Sequence, residues 1–308
     1  MDATMHVTVC IPTRDRGESI TQTLHSIAQS NYTDFDVVIV DQSLHDTTEQ
    51  AVRNFIGNDR RFTYVRSRST GASSARNVAV KHARGPFVAF TDDDCEVAAV
   101  WLDRLVTYFR EHPDVGQICG AVRTGPHGPR LGFIPDYPIS SPKLISSPWR
   151  KWRAGGILAN MAFRLDVLRA VGPFDEVLSP GSPLFNYEDG DMTYRVLKAG
   201  YSVLNVPDAY VVHYGFRNWQ QGQVLMRRVG VAIGAACMKH VRLRDPAILP
   251  TFLYEWARCI SWRRLLLLRP HTGVARFLAY GLGLVLSFRY GVDPKWRIYR
   301  QSTEEIGA

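Results

Sequence analysis

Three consecutive carboxylates, Asp92, Asp93 and Asp94, follow the apolar run G-P-F-V-A-F-T at residues 85–91. Two carboxylates about 4 Å apart repel by roughly 4 kcal/mol at an effective dielectric near 20, so such a triplet asks for a cation. Mg²⁺ or Mn²⁺ meets that demand, because hard ions prefer oxygen ligands and often bridge a carboxylate to substrate phosphates. The alternative is a solvated loop whose acids favour the N-terminus of the next helix; the position at a strand end favours the metal. Asp41 closes a second apolar run in V-I-V-D-Q-S. Its carboxylate is acceptor-only at neutral pH and suits either the imide N–H of a uracil or the capping of its own turn through Ser43.

A second acidic group lies nearly 100 residues further on, in F-N-Y-E-D-G-D-M-T-Y-R at residues 185–195. Acids at a helix start stabilise the helix dipole, which accounts for one or two of Glu188, Asp189 and Asp191. A carboxylate is also a usable general base for a hydroxyl within hydrogen-bond reach. The stretch G-A-S-S-A-R-N at residues 71–77 opens a helix with small residues and a cation, which allows close approach of a phosphate or nucleotide. It has neither a P-loop Lys-Ser/Thr pair nor the G-x-G-x-x-G order, so ATP or NAD binding through those motifs is disfavoured.

These groups need a scaffold that brings them together. Short β-rich runs alternate with helical stretches through the first 122 residues, the pattern of a parallel sheet covered by helices. Strands are expected at 6–11, 35–40, 62–65, 86–90 and 115–122, and helices at 18–29, 47–55, 73–82 and about 100–110. Such sheets bind ligands at the carboxyl ends of their strands, where Asp41 and Asp92 to Asp94 fall. Six prolines among residues 123–150 predict a loop with little regular structure. A helix over 163–171 ending at Gly172-Pro173, another over 189–199, and strands at 201–206 and 209–213 should follow.

Together the motifs resemble family-2 glycosyltransferases, inverting sugar transferases of the GT-A fold, over about residues 7–214. The resemblance is carried by V-T-V-C-I-P-T-R, V-I-V-D-Q-S, G-A-S-S-A-R-N, F-T-D-D-D, G-G-I-L-A-N, V-G-P-F-D-E, E-D-G-D-M-T-Y-R and the late V-V-H, in that order. It implies that Pro12, Thr13 and Asp41 hold the nucleoside, with Arg14 beside them and Arg76 assisting. Asp92 and Asp94 match a D-x-D motif whose last acid ligates the metal and whose first sits near ribose. Asp93, Asn160 and Glu188 join the nucleotide-sugar site, and Asp189 matches the catalytic base. His213 aligns with a position that contacts metal or diphosphate in some relatives, against the plainer reading of a satisfied strand-end histidine. A UDP-linked donor, with Mg²⁺ or Mn²⁺ as cofactor, is the expectation. Where many relatives carry an Asn after the first strand's Pro, this chain has Thr13-Arg14-Asp15. The Q-x-x-R-W motif of processive synthases is absent, which implies one sugar per encounter.

The net charge of +8 is uneven: from Tyr214 onward 15 Lys/Arg stand against 5 Asp/Glu. Apolar stretches at 223–240, 248–268 and 274–288 are rimmed by Arg227, Arg228, Arg242, Arg244, Arg263, Arg264, Arg269 and Arg289. The run around Arg276 is shorter than the roughly 20 apolar residues of a spanning helix, and Trp256, Trp262 and Tyr280 suit interfacial helices on an anionic leaflet. A helical cap packed on the catalytic domain is the alternative. A basic patch without a binding motif makes nucleic acid a weak explanation. The division expected is 1–215 as a GT-A-like catalytic domain and 216–308 as a basic, apolar helical extension.

Five cysteines without C-x-x-C spacing indicate neither a zinc site nor a disulfide framework. The N-terminus lacks the marks of a secretory signal, which predicts the cytosol or the inner membrane face. A membrane-docked transferase suits a lipid-linked saccharide or glycolipid acceptor. Two rivals remain, a sugar-nucleotidyltransferase, whose Gly-rich basic signature residues 10–17 do not supply, and a catalytically silent membrane scaffold, against which Asp94 and Asp189 argue.

Overall fold

A computed structural model describes residues 5–259 and 270–300. Strands β1 (Val7–Thr13), β2 (Phe35–Asp41), β3 (Phe62–Arg66), β4 (Phe87–Phe90), β5 (Cys95–Val97) and β6 (Val115–Thr124) alternate with helices α1 (Gly17–Ala28), α2 (Thr47–Ile56), α3 (Ala72–His82) and α4 (Trp101–Glu111). β7 (Gly132–Phe133), β8 (Lys143–Ile145), a 3₁₀ turn at Pro148–Arg153, β9 (Met161–Arg164), α5 (Leu165–Val171), α6 (Glu188–Lys198) and β10 (Ser202–His213) complete the α/β part. The main sheet runs β3-β2-β1-β4-β9-β6-β10-β5, with β8 on β10. Most pairs are parallel; β9, β5 and β8 run antiparallel to their neighbours.

The central strands are apolar along their length because both faces are covered. Val37 and Ile39 of β2 pack into the core on one face, while Val38 and Val40 pack into the other, as the two-residue period of a strand requires. Since β1, β2 and β4 are parallel neighbours, Thr13, Asp41 and the acidic triplet leave the sheet at one edge. β5 then returns antiparallel along β10, pairing Cys95 with His213, and so sets Asp94 beside that histidine.

Several boundaries differ from the sequence reading. Phe163 and Arg164 belong to β9, a strand inserted between β4 and β6, so α5 starts at Leu165. The two strands expected over 201–213 are one, irregular between Val206 and Val211. The proline-rich stretch is not structureless: it contributes β7, β8 and the 3₁₀ turn.

Past a short strand β11 (Arg217–Asn218), α7 (Trp219–Arg242) carries an Asn218/Gln221 capping box and is followed by α8 (Leu249–Cys259) and α9 (Pro270–Leu286). Trp262, Arg263, Arg264 and Arg269 lie outside the described residues. α7 and α9 cross closely: a Cβ on Gly234 would meet the Tyr280 carbonyl oxygen at 2.1 Å, and one on Gly283 the Val231 carbonyl oxygen at 2.0 Å. No helix among the described residues is long and apolar enough to cross a membrane. α7 is anchored to the α/β part by Lys239, which is fully buried and 2.7 Å from both Asp175 Oδ2 and Asp191 Oδ1. A final hairpin, β12 (Val292–Asp293) and β13 (Ile298–Tyr299), joins the same cluster through Tyr299 N–H, which donates to Asp175 Oδ2 at 2.9 Å.

Candidate active site

The strand-end triplet divides among three different partners. Asp93 turns inward, where its Oδ2 accepts from Thr13 Oγ1 at 2.7 Å. Burial pushes its carboxyl up to about 7, against the opposing pull of Thr13 and Arg16. Asp94 accepts from Arg16 Nη1 at 2.8 Å and faces His213 Nε2 at 3.2 Å. Burial alone would raise its pKa, but the His213 and Arg16 contacts hold it below the ordinary carboxylate value. His213 is likewise kept above its usual value, since Asp94 outweighs the effect of burial. Asp92 accepts from Arg76 Nη2 at 2.8 Å.

Arg76, on the second turn of α3, joins the two acidic stretches: its Nη1 donates to Glu188 Oε1 at 3.1 Å. Desolvation pushes Glu188 up to about 8, with Arg76 opposing and Asp189 adding to the rise. Its second oxygen is buried with no hydrogen-bond donor among the described residues. Just before it Asn186 takes φ = 75°, a left-handed conformation that Asn tolerates better than most residues and that turns the chain into α6. Asp189 is half-buried and accepts from the Gly190 N–H at 2.5 Å. Its pKa is raised by burial, with the Gly190 N–H and the charges of Lys151 and Arg76 in opposition. Lys151, on the 3₁₀ turn, is buried and donates from Nζ to Tyr187 Oη at 3.0 Å.

A cavity of about 890 Å³ connects these groups. Pro12, Thr13, Arg14, Arg76, Asp92, Asp93, Asp94, Glu188, Asp189 and His213 all line it. Asp41 and Asn160 do not. Asp41 is fully buried; its Oδ1 accepts from the Ser43 N–H and hydroxyl, and its Oδ2 from Tyr64 Oη at 2.8 Å. These contacts are those of a turn cap, and each oxygen already holds at least one donor. Asn160 is also fully buried: Oδ1 accepts from Trp101 Nε1, and Nδ2 donates to the carbonyls of Ala121 and Ala209. It ties β6 and β10 to α4, and has no face left for a sugar. Arg16, Lys151 and Gly215 were not legible as site residues. Arg16 is one cation among several after β1, and Lys151 sits in a loop where no periodicity assigns a face.

Asp94 and His213 have the chemistry of a cation site. Their ligand atoms lie with the Cys95 Sγ within 4.8 Å of one another. Burial raises the Cys95 thiol well above its usual value, so the thiolate form that binds metals is suppressed. His213 Nδ1 lies 2.8 Å from the Pro135 carbonyl oxygen, the outer contact that commonly orients a metal-binding imidazole. A Cβ on Gly215 would stand 2.6 Å from His213 Nε2 and 2.8 Å from Asp94 Oδ2, so only glycine leaves that corner open. The donor set fits a divalent ion.

A sequence profile described as glycosyl transferase family 2 matches residues 8–172, more than half of the chain. The chain belongs to glycosyl transferase family 2. Among its relatives, the glycosyltransferase AglE of Haloferax volcanii is 28% identical over 211 residues, 67% of this chain and 66% of that protein. The poly(ribitol-phosphate) beta-N-acetylglucosaminyltransferase TarS of Staphylococcus aureus is 32% identical over 111 residues, 35% of this chain and 19% of that one. The chain thus spans less than two thirds of the length of each. Glycosyltransferases also appear among similar structures, and the likeness shows a shared GT-A fold. The mannosyltransferase PcManGT of Pyrobaculum calidifontis, in complex with GDP-Man and Mn²⁺, aligns with TM-score 0.62 at 19% identity, covering 94% of this chain and 76% of that one. S. aureus TarS residues 1–349 with UDP-GlcNAc aligns with TM-score 0.55 at 22% identity, covering 74% and 66% respectively.

Proposed function

We propose that this family-2 chain is an inverting glycosyltransferase that moves one sugar from a nucleotide-sugar, UDP-linked, to a hydroxyl acceptor such as a lipid-linked saccharide or glycolipid. The observation that carries the reading is the Arg76 bridge from Asp92 to Glu188, which ties the strand-end acids to the start of α6 beside a cavity that Asp94, His213 and Asp189 also line. Residues 1–215 are the catalytic unit, and the extension completes the cavity wall through α7, α8 and α9.

In this reading Thr13, Arg14, Asp92 and Arg76 hold the nucleotide-sugar at the strand ends, and Asp94 and His213 are the metal ligands. When bound, Mg²⁺ or Mn²⁺ supplies Lewis-acid neutralisation of the charge that develops on the departing diphosphate. Asp189 accepts the proton of the acceptor hydroxyl as that oxygen attacks the anomeric carbon from the opposite face. Burial raises its pKa above the ordinary carboxylate value, which makes it a stronger base. The positive charge of Lys151 opposes that rise.

Peripheral contact with an anionic membrane, on an inner face, completes the proposal. Leu278, Leu282, Val285 and Phe288 are all at least half exposed, at a helical spacing along α9 and just beyond it, and Leu249, Leu253 and Trp256 are exposed on α8. Exposed Arg227, Arg228, Arg244 and Arg289 accompany them, the composition of an interfacial surface on anionic lipid.

Nucleoside diphosphate release from a panel of nucleotide-sugars tests the reaction. The expected result is metal-dependent release that Asp189→Asn abolishes; unchanged turnover in that variant refutes the base. Flotation with phosphatidylserine vesicles tests the membrane contact, and failure of the full chain to float at low salt removes it.

A further inference from the structure

The cavity has a second end that the donor chemistry does not use. Leu225, Val229 and Ile233 recur every four residues on α7, so one aliphatic stripe of that helix faces the cavity. Trp152 and Tyr254, with ring centroids 5.0 Å apart, line it from the 3₁₀ turn and from α8. Branched aliphatic groups and aromatic faces reward the burial of hydrocarbon. The polar groups at this end are few, Glu255 beside Tyr254 and Arg276 on α9. Arg276 of α9 lines the same region, and its Nε is buried with no acceptor among the described residues. Buried N–H groups are nearly always paired, and a guanidinium pairs best with an anion.

We propose that this end of the cavity binds the hydrocarbon chain of the acceptor, with an anionic group of the acceptor at Arg276. The assignment rests on the transferase reading and names its acceptor class: an amphiphile in which an alkyl chain, an anion such as phosphate and then the accepting saccharide follow one another toward Asp189. The outer surface is consistent with that path. Leu253, next to Tyr254, is exposed together with Leu249 and Trp256 on the same helix, so the wall of the channel also carries the apolar exterior from which a chain would enter.

Calorimetry of the full chain with inorganic phosphate and with n-hexyl, n-octyl and n-decyl phosphate, each below its micelle concentration, tests this. Inorganic phosphate should bind weakly, and affinity should rise on the order of threefold per added methylene buried. Val229→Asn should flatten that dependence, Arg276→Gln should weaken all alkyl phosphates by a common factor of about ten, and Leu282→Glu on the outer face should change neither. Affinity independent of chain length in the unaltered protein overturns the proposal, as does a dependence that Leu282→Glu removes. These two results need no variant in the channel, so a misfolded Val229→Asn leaves the decision intact. A flat series with donor turnover preserved ends the channel assignment alone. A steep series alongside donor turnover indifferent to Asp189→Asn ends the transferase reading alone.

Discussion

The acid cluster at the end of β4 and the acid cluster at the start of α6 look alike in sequence, yet the fold treats them differently. Asp92, Asp93 and Asp94 share one turn and all line the cavity, each with a different partner. On α6, by contrast, Asp189 lines the cavity while Asp191, two residues on, is buried against Lys239, Arg195 and His240. Two residues of helix rotate a side chain by about 200°, so neighbours in sequence serve opposite faces. A strand-end turn concentrates charge on one site, whereas a helix start splits it between a site and a core.

The largest effect should come from Asp189 and Asp94, the pair that the proposed mechanism uses. Asp189→Asn keeps the size and the Gly190 contact but removes the basic oxygen, and turnover should fall by about 10²–10⁴ while nucleotide affinity, read by calorimetry, stays within a few-fold. Asp94→Ala should likewise abolish metal-dependent turnover. Asp93→Ala should be milder, since it loses chiefly the Thr13 hydrogen bond, about 1 kcal/mol. Equal losses at Asp93 and Asp94 would mean that the strand-end cluster works as one unit and is not divided as described.

Next in size is the structural side of the α6 contrast. Lys239→Met removes the ammonium between two buried carboxylates, and breaking a buried pair from one side costs about 3–5 kcal/mol. Thermal unfolding should show that loss as a lower midpoint. A midpoint unchanged from the unaltered protein would show that Asp175 and Asp191 have adequate partners without Lys239.

Much of the cavity-side edge of the sheet could be read from sequence because parallel strands buried on both faces announce themselves as unbroken apolar runs, and their ends then locate the acids. Helix α3 and the Asp189 motif were legible for a similar reason, since short-range pattern and local motif suffice there. What failed depended on long-range pairing. β9 is a four-residue strand whose place between β4 and β6 no local period reveals, and Asn160 beside it satisfies carbonyls from two distant strands. Asp41 was open to two roles until Tyr64, a strand away, filled its second oxygen. Lys239 read as one more basic residue of the tail, whereas only its buried partners reveal a clamp. The Asn218-x-x-Gln221 capping box is a local signal, and α7 accordingly begins four residues before the apolar stretch that suggests it.

A further effect, confined to low pH, concerns His240, and it asks whether the buried side of α6 senses pH. Burial lowers the His240 imidazole to about 4, although the Asp191 contact at 3.0 Å favours the charged form; Lys239 and Arg297 add repulsion, and the Tyr194 ring lies 4.4 Å away. In the unfolded chain the same imidazole protonates near its ordinary value of about 6.5. Between about pH 6.5 and pH 4 the unfolded state therefore binds a proton that the fold refuses, so this group leaves stability intact above that window and lowers it as pH falls through it. Its slope cannot exceed one proton, about 1.4 kcal/mol per pH unit. Glu188, raised to about 8, acts in the opposite sense above its unfolded value, because a carboxyl held protonated in the fold loses stability as pH rises. The informative quantity is thus the difference between the unaltered protein and His240→Gln, whose amide retains a donor for Asp191 but does not titrate. Denaturant midpoints measured from pH 7 to pH 4.5 should converge or cross as the variant escapes the proton-linked loss; parallel curves would mean that His240 is already charged in the fold and that Asp191, not burial, governs it.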